Sequence, residues 1–586
     1  MKKIFRKLLF ISLITFLGCN NNKYSNDIIS SAHPLASLAG KEIYEMGGNA
    51  FDAAVAAAFS LAVVEPSMSG IGGRLQSIFQ TQDGIISGID ASTEVPILYK
   101  PTEEKHSYGY PTIGIPGVVA GLVKLQKDNG VLTLKEVIGP AIRYAKEGFL
   151  ILPGEALRQK MAIEKINEFE GTRHHFLKSD NTSYKAGDLL IQKDLSMVLQ
   201  KIANQGHKGF YEGEVAQKIV SDVQKNGGIL TLDDLKNYKA LTSRIVEGRY
   251  QGHEIHSLYL PSFGAITIQI LQILDNLSSA KTEEEWAVNI GKATEIAYQQ
   301  RKNQINEDSL QLILSYDRAK IFANKIENNT KMTFNFDYKN SPKSWVAKIG
   351  HTSHLTAADA NGNIVSLTQT IGPNMGSKVA SKGLGFIYAV TLGGYLGDYK
   401  PGDRANSHIS PTLISKNNSP VLALGAAGGP NMGSKVASKG LGFIYAVTLG
   451  GYLGDYKPGD RANSHISPTL ISKNNSPVLA LGAAGGSRII TAVTQVTSRY
   501  IDQKNTLKKS LMLPRVYPFE DSLWIEDHSG VKELNAELDI TINPYKMIDK
   551  IARFGRVHAI ALDSINNKWI GAADPDWEGT TEINHK

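Results

Sequence analysis

The chain has 586 residues, 42% of them hydrophobic and 20% charged, a balance that excludes a disordered polymer and points to a large globular protein. Its formal net charge is +7, and four of the cations, Lys2, Lys3, Arg6 and Lys7, sit at the N-terminus. The remaining charge is too small and too evenly spread for nucleic-acid binding or a polybasic membrane patch. A single cysteine, Cys19, excludes intrachain disulfides and any Cys-cluster metal site.

Residues 1–18 read as a secretory leader: a basic start, an apolar run from Leu8 to Leu17 too short to span a bilayer of about 30 Å, and Gly18 ahead of Cys19. Phe16-Leu17-Gly18-Cys19 resembles a lipobox with an unusual first residue, so cleavage and acylation at Cys19 are expected; the alternative is a plain export signal with an incidental cysteine. Residues 19–32 are then a polar tether. The expected location is the periplasm, with membrane attachment only through the lipid.

Apolar residues recur at helical spacing over 34–46, and Gly47-Gly48 ends that helix. A second helix is expected over 49–64, where Ala53, Ala54, Ala56, Ala57 and Ala58 allow close packing. The segment Ser69-Gly70-Ile71-Gly72-Gly73 follows, then two short strands around Asp83-Gly84. From 110 to about 330 the pattern is mostly helical, with clear amphipathic segments at 140–149 and 215–228. Beyond Gly350 short alternating strands and many glycines take over, which divides the chain into 33–351 and 352–586. Within the second part, residues 373–429 recur without a difference as 430–486, a period of 57 residues. Two identical copies do not make a solenoid; they point to a recent duplication or an error of sequence assembly.

Apolar and polar residues alternate on both sides of Asp359-Ala360-Asn361-Gly362-Asn363. That composition suits a three-residue hairpin loop, a type I turn followed by left-handed Gly362 in a bulge. Asp359 then pairs with Asn363, and Thr352 lies opposite Thr370 with their hydroxyls close enough to interact. A two-residue Asn-Gly loop would instead pair Ser353 with Thr370.

Several segments together carry a resemblance: GGNAFDAAVAAAFSLAVVEP with SGIGG, IGIPGVVAGL, PAIRYAKEGF, GFYEGEVAQKIV with GGILTLDDL, HTSHLTAAD with VSLTQT, and ALGAAGGSRII. In this order, from about His33 to the C-terminus, they are similar to the gamma-glutamyltransferases, members of the N-terminal nucleophile hydrolases. The resemblance implies an α+β fold, a four-layer αββα sandwich. It also implies a precursor that cuts itself before Thr352, its large and small fragments remaining paired as a heterodimer. The freed α-amine, with a pKa of about 7.7–8.0, would serve as general base for the threonine hydroxyl. Gly485 and Gly486 resemble the family's oxyanion pair, and the close approach of a main chain without Cβ fits that task. The resemblance also implies that Thr370 is a second threonine of the catalytic set.

The match fails at the glutamate clamp. The family's carboxylate-binding arginine aligns with Ser92, and serine cannot replace a bidentate guanidinium. Its asparagine two residues beyond Thr370 is Gly372. Its glutamine and ammonium-binding acid fall near Thr391 and Gly394, or near Thr448 and Gly451. Its paired serines become Ser407-His408 or, in the second copy, Ser464-His465. Arg74 could supply a substitute cation, although a strand-start arginine ordinarily faces solvent. The implied function is cleavage or transfer of the gamma-glutamyl group of glutathione-like amides to water, an amino acid or a peptide. The alternatives are an acylase on a non-glutamyl amide and an inactive lipoprotein that keeps the fold as a binding module. His174-His175 has no further ligands at zinc spacing, residues 382–394 lack the Lys-Ser/Thr of a phosphate loop, and Glu212, Asp233 and Asp234 read as helix starts. No metal or organic cofactor is implied.

Overall fold

The computed structural model describes residues 23–100, 106–300, 307–328, 352–392 and 400–403, short strands between 412 and 484, and 488–586 apart from 520–521, 527–540, 546–554 and 575–577.

The first strand, β1 (Asn26–Ser31), corrects the expected tether over 19–32: from Asn26 onward the chain is buried inside a sheet. Its polar residues look loop-like in sequence, yet each finds a distant partner. Asn26 Nδ2 donates to the Trp569 carbonyl at 3.1 Å, the Asp27 carboxylate accepts from Ala360 N–H at 2.9 Å, and Ser30 Oγ donates to the Ala572 carbonyl at 3.2 Å.

Helix α1 (Pro34–Glu45) is capped by the His33 ring, which accepts from Leu35 N–H, and the chain leaves it through Gly47 at φ +89°. Helix α2 (Ala50–Val64) begins at an Asn49–Asp52 capping box and is buried along its whole length, as its run of alanines anticipated. The two strands around Asp83-Gly84 are β2 (Arg74–Gln80) and β3 (Ile86–Ala91). The two amphipathic segments lie in helices Leu134–Glu147 and Gly213–Lys225.

Seven strands form a first sheet in the order Thr580–His585, β1, Ser353–Ala358, Ile364–Thr370, β2, β3, Leu241–Thr242, every neighbouring pair antiparallel. A second sheet contains Ile245–Tyr250, His253–Leu258, strands of the repeated segment, Arg556–Asp563 and Lys568–Ala573. Helix α2 packs on the outer face of the first sheet, while helices Gly264–Asp275 and Arg488–Ile501 pack on the second. The inner faces meet where Ser353–Ala358 lies against Arg556–Asp563. The result is the expected four-layer sandwich, with its core between α2 and the first sheet and between the sheets.

Strands of the duplicated segment meet the second sheet at His253–Leu258 and Arg556–Asp563. Leu413 and Leu470, equivalent residues of the two copies, both pair with His256, while Ile245–Tyr250 takes the other edge of that strand. On Arg556–Asp563, Leu422 to Gly425 of the first copy pair with Ala561 to His558. Ala483 and Ala484 of the second copy then pair with Val557 and Arg556, continuing the ladder in the repeat-equivalent register. One edge of a strand accepts one neighbour, so the two copies are alternatives for the same place in the sheet.

Candidate active site

The loop at the tip of the central hairpin sets the register of the site. Asp359 N–H donates to the Asn363 carbonyl and Gly362 N–H to the Asp359 carbonyl, both at 3.0 Å, with Gly362 at φ +99°. This is the three-residue loop, and the two-residue alternative is excluded. The Asp359 carboxylate pins the turn by accepting from Ala50 N–H, Asn361 N–H and Asn363 N–H, each at 3.0 Å; burial pushes its carboxyl above the usual range. Pairing runs from Ile364–Ala358 to Gln369–Ser353, so the next step sets Thr370 opposite Thr352. Both threonines are buried, Thr352 at 3% exposure.

The neighbouring residues show which way these hydroxyls face. His354, two residues after Thr352, places Nδ1 2.6 Å from Thr368 Oγ1 and Nε2 2.9 Å from Thr356 Oγ1. Its ring stacks against His558 of the second sheet at 6.5 Å between centroids and 7° between planes. Alternation along the strand therefore turns Thr352 toward the interior of the sandwich, on the same face as His354.

The histidine pair makes the sandwich sensitive to acid. Burial lowers both imidazoles, His354 far below its ordinary value and His558 to about 4; Asp574 opposes the shift in His558, while Arg556 and Arg515 reinforce it. An unfolded histidine takes up its proton near pH 6.5, so below that pH the unfolded chain binds more protons than the folded one. Stability from this source is complete above about pH 6.5 and declines as pH falls toward 4, by about 3 kcal/mol for His558. Unfolding midpoints between pH 4 and 8 should fall on the acid side, and less steeply in His558→Gln; equal slopes would remove His558 from the account.

Behind Thr370 lies the glycine loop. Gln369 Nε2 donates to Ser69 Oγ at 2.5 Å and to the Ala58 carbonyl at 2.8 Å, and Ile371 N–H to the Met68 carbonyl at 3.2 Å. A Cβ on Gly73 would meet the Thr370 carbonyl oxygen at 2.5 Å, so only glycine lets this loop press against the threonine strand. Thr370 Oγ1 accepts from Gly372 N–H at 3.0 Å.

On the opposite face, Ser353 Oγ donates to Glu65 Oε2 at 2.5 Å, just past the end of α2. Arg158 lies 3.8 Å from Glu65 Oε1, donates to Glu155 Oε2 at 3.2 Å, and donates through Nε to Ser67 Oγ at 2.7 Å. Ser67 Oγ also donates to Glu155 Oε2 at 2.5 Å. This ionic cluster is fully buried, and its two halves, Glu65 with Ser67 and Glu155 with Arg158, are far apart in sequence, so nothing local announced their meeting.

Ser92 follows β3 directly and is held on three sides: its Oγ accepts from Gln76 Nε2 at 2.8 Å, its N–H donates to Asp90 Oδ1 at 2.9 Å, and its carbonyl accepts from Tyr238 OH at 2.6 Å. A cavity of about 380 Å³ lies beside Asp90, lined also by Arg244 and Tyr259. Arg74 corrects the expectation of a solvent-facing side chain: it is fully buried and pairs with Thr370 across β2. The glycines before it allow a loop so tight that its first strand residue is already inside. The His174-His175 pair gains Asp194 as a neighbour, His175 Nε2 lying 3.8 Å from its carboxylate and 3.2 Å from the Ser381 carbonyl. Asp234 closes a capping box with Thr231, as its place at a helix start suggested. Cys19, Ser464, His465, Gly485 and Gly486 lie outside the described residues.

The gamma-glutamyltranspeptidase family model matches residues 36–445 and 431–583, two stretches that overlap inside the second repeat copy. The "Glutathione hydrolase proenzyme" of Pseudomonas sp. (strain A14) is 29% identical over 528 residues, covering 86% of this chain and 83% of its own. The "Capsule biosynthesis protein CapD proenzyme" of Bacillus anthracis is 27% identical, covering 100% and 98%. Among solved structures, the cephalosporin acylase from Bacillus halodurans superposes with a TM-score of 0.76 at 22% identity, over 95% of this chain and 96% of that one, which supports the shared N-terminal nucleophile hydrolase fold. A match that runs in order through both sides of Thr352 makes the chain a member of the gamma-glutamyltranspeptidase family.

Proposed function

We propose that this protein is a self-processing hydrolase and acyltransferase that cuts its own chain before Thr352 and then works on glutathione-like gamma-glutamyl amides. The observation that carries the reading is the hairpin register, which sets Thr352 at the head of an inner strand opposite Thr370 and inside the sandwich. Once the preceding peptide bond is cut, the α-amine of Thr352 takes the proton from its own hydroxyl. The oxygen attacks the amide carbonyl, the amine leaves with the proton, and the acyl group rests on Thr352 as an ester. Water, an amino acid or a peptide then takes the acyl group and restores the hydroxyl. Backbone N–H groups of Gly485 and Gly486 are assigned to the oxyanion on family resemblance.

The strand order supports a lasting heterodimer of the two fragments. β1, from the N-terminal fragment, lies between Ser353–Ala358 and Thr580–His585 of the C-terminal one, and β2 pairs with Ile364–Thr370. Separation would open these three antiparallel ladders and the pairing of His253–Leu258 with the repeated segment, and would strip α2 from its sheet. The sequence of residues 1–18 and Cys19 supports export to the periplasm with a lipid anchor; no helix among the described residues is long and apolar enough to cross a membrane. Relatives named glutathione hydrolase proenzyme support both the substrate class and the processed precursor.

The test is electrophoresis with an activity assay. Purified protein should separate under denaturing conditions into two fragments, the smaller beginning Thr-Ser-His, and should release chromophore from gamma-glutamyl-p-nitroanilide. Matured protein that releases none would be an acylase for another amide, a reading favoured by serine at position 92. Protein that stays whole would overturn the mechanism.

A further inference from the structure

Arg74 is a cation in the wall of the catalytic face. Along one row of the first sheet, Thr352 pairs with Thr370 by continuation of the hairpin register, Thr370 pairs directly with Arg74, and continuation from Leu75–Ala91 sets Arg74 opposite Ser92. Directly opposed residues of antiparallel strands project from the same face. The adjacent row confirms the direction: His354 meets Thr368, and Gln76 Nε2 donates to Asp90 Oδ1 at 2.6 Å and to Ser92 Oγ at 2.8 Å. Arg74 thus starts on the face of Thr352, two strands or about 10 Å away, a gap that its long side chain can largely bridge.

Its guanidinium reaches toward the chain beyond Thr370. Nη1 lies 3.5 Å from the Val390 carbonyl, and a Cβ on Gly372 would stand 3.4 Å from Nη2. Gly372, at φ +90°, leaves that approach open. A planar guanidinium fork is the side chain best matched to a carboxylate.

We propose that Arg74 selects acyl donors bearing a carboxylate a short carbon chain beyond the scissile carbonyl, acting from the strand next to Ser92. This rests on the amide-cleaving reading above. It turns the serine at 92 from a lost clamp into a clamp moved across one strand pairing.

Two chromogenic amides with the same carbon chain separate the possibilities: gamma-glutamyl-p-nitroanilide, which carries the carboxylate, and 4-aminobutyryl-p-nitroanilide, which lacks it. Wild type should prefer the first, chiefly through KM. R74M should lose that preference by roughly 10- to 100-fold, the scale of a hydrogen bond to a charged group. R74K should keep part of it, and the exchange R74S/S92R should restore most. A merely structural role would lower both donors together and leave their ratio alone. Electrophoresis reports maturation of each variant; if R74M stays whole, the ratio in R74S/S92R and R74K decides. An unchanged ratio in matured R74M, or a wild type indifferent to the carboxylate, overturns the assignment of Arg74 while leaving amide cleavage intact. Release from neither donor by matured wild type instead overturns the gamma-glutamyl reading on which it rests.

Discussion

Thr352→Ala should remain one unbroken chain and lose turnover by roughly a million-fold, the scale seen when a hydrolase loses its nucleophile. In the proposed mechanism one side-chain oxygen serves twice, first in attack on the preceding peptide bond and then in attack on substrate. Its loss removes both steps, and with the first also the α-amine that acts as base. The fold should survive, because Ser353–Ala358 keeps its pairing to β1 and Ile364–Thr370 and the substitution removes only a hydroxyl and a methyl group. Thr352→Ser should still mature, more slowly, since serine lacks the methyl that restricts the hydroxyl's rotamer. The readouts are fragment pattern, N-terminal sequence and chromophore release. Cleaved Thr352→Ala would place the nucleophile elsewhere.

Arg158→Met should cost about 3–5 kcal/mol of stability, the range for breaking a buried ionic cluster by removing one partner. Glu65 and Glu155 would stay buried without the guanidinium that lies against both. The effect should reach the catalytic residue as well. Glu65 holds Ser353, the neighbour of Thr352, so self-scission should slow even in protein that remains folded. Adding Glu65→Gln and Glu155→Gln should recover much of the stability by removing the stranded charges, without recovering the scission rate. A denaturation midpoint for Arg158→Met close to wild type would show that the cluster does not secure the strand.

Much of the site was legible in the linear chain because local rules decide it. The loop Asp359–Asn363 dictates its turn through one glycine and one side chain that bonds back to the turn, and the turn dictates that Thr352 faces Thr370. The helix start at Asp234 and the glycine exit from α1 were legible for the same reason: donors and acceptors a few residues apart satisfy one another.

β1 was not legible, since its asparagine, aspartate and serines are satisfied by residues more than 300 positions away. Nor was the depth of Arg74, which depends on the distant strand Ile364–Thr370 closing on the β2–β3 hairpin. The repeat divides the same way: identity is visible in the letters, but that the two copies are alternatives for the edge at His256 is visible only in the sheet. Sequence alone determined the hairpin turn, the threonine that stands opposite Thr352 and the family, because these follow from short-range pattern and ordered motifs. The tertiary structure decided which face the threonine turns to, what lies beneath it and which cation shares its row, because a sheet brings together residues that no local spacing relates.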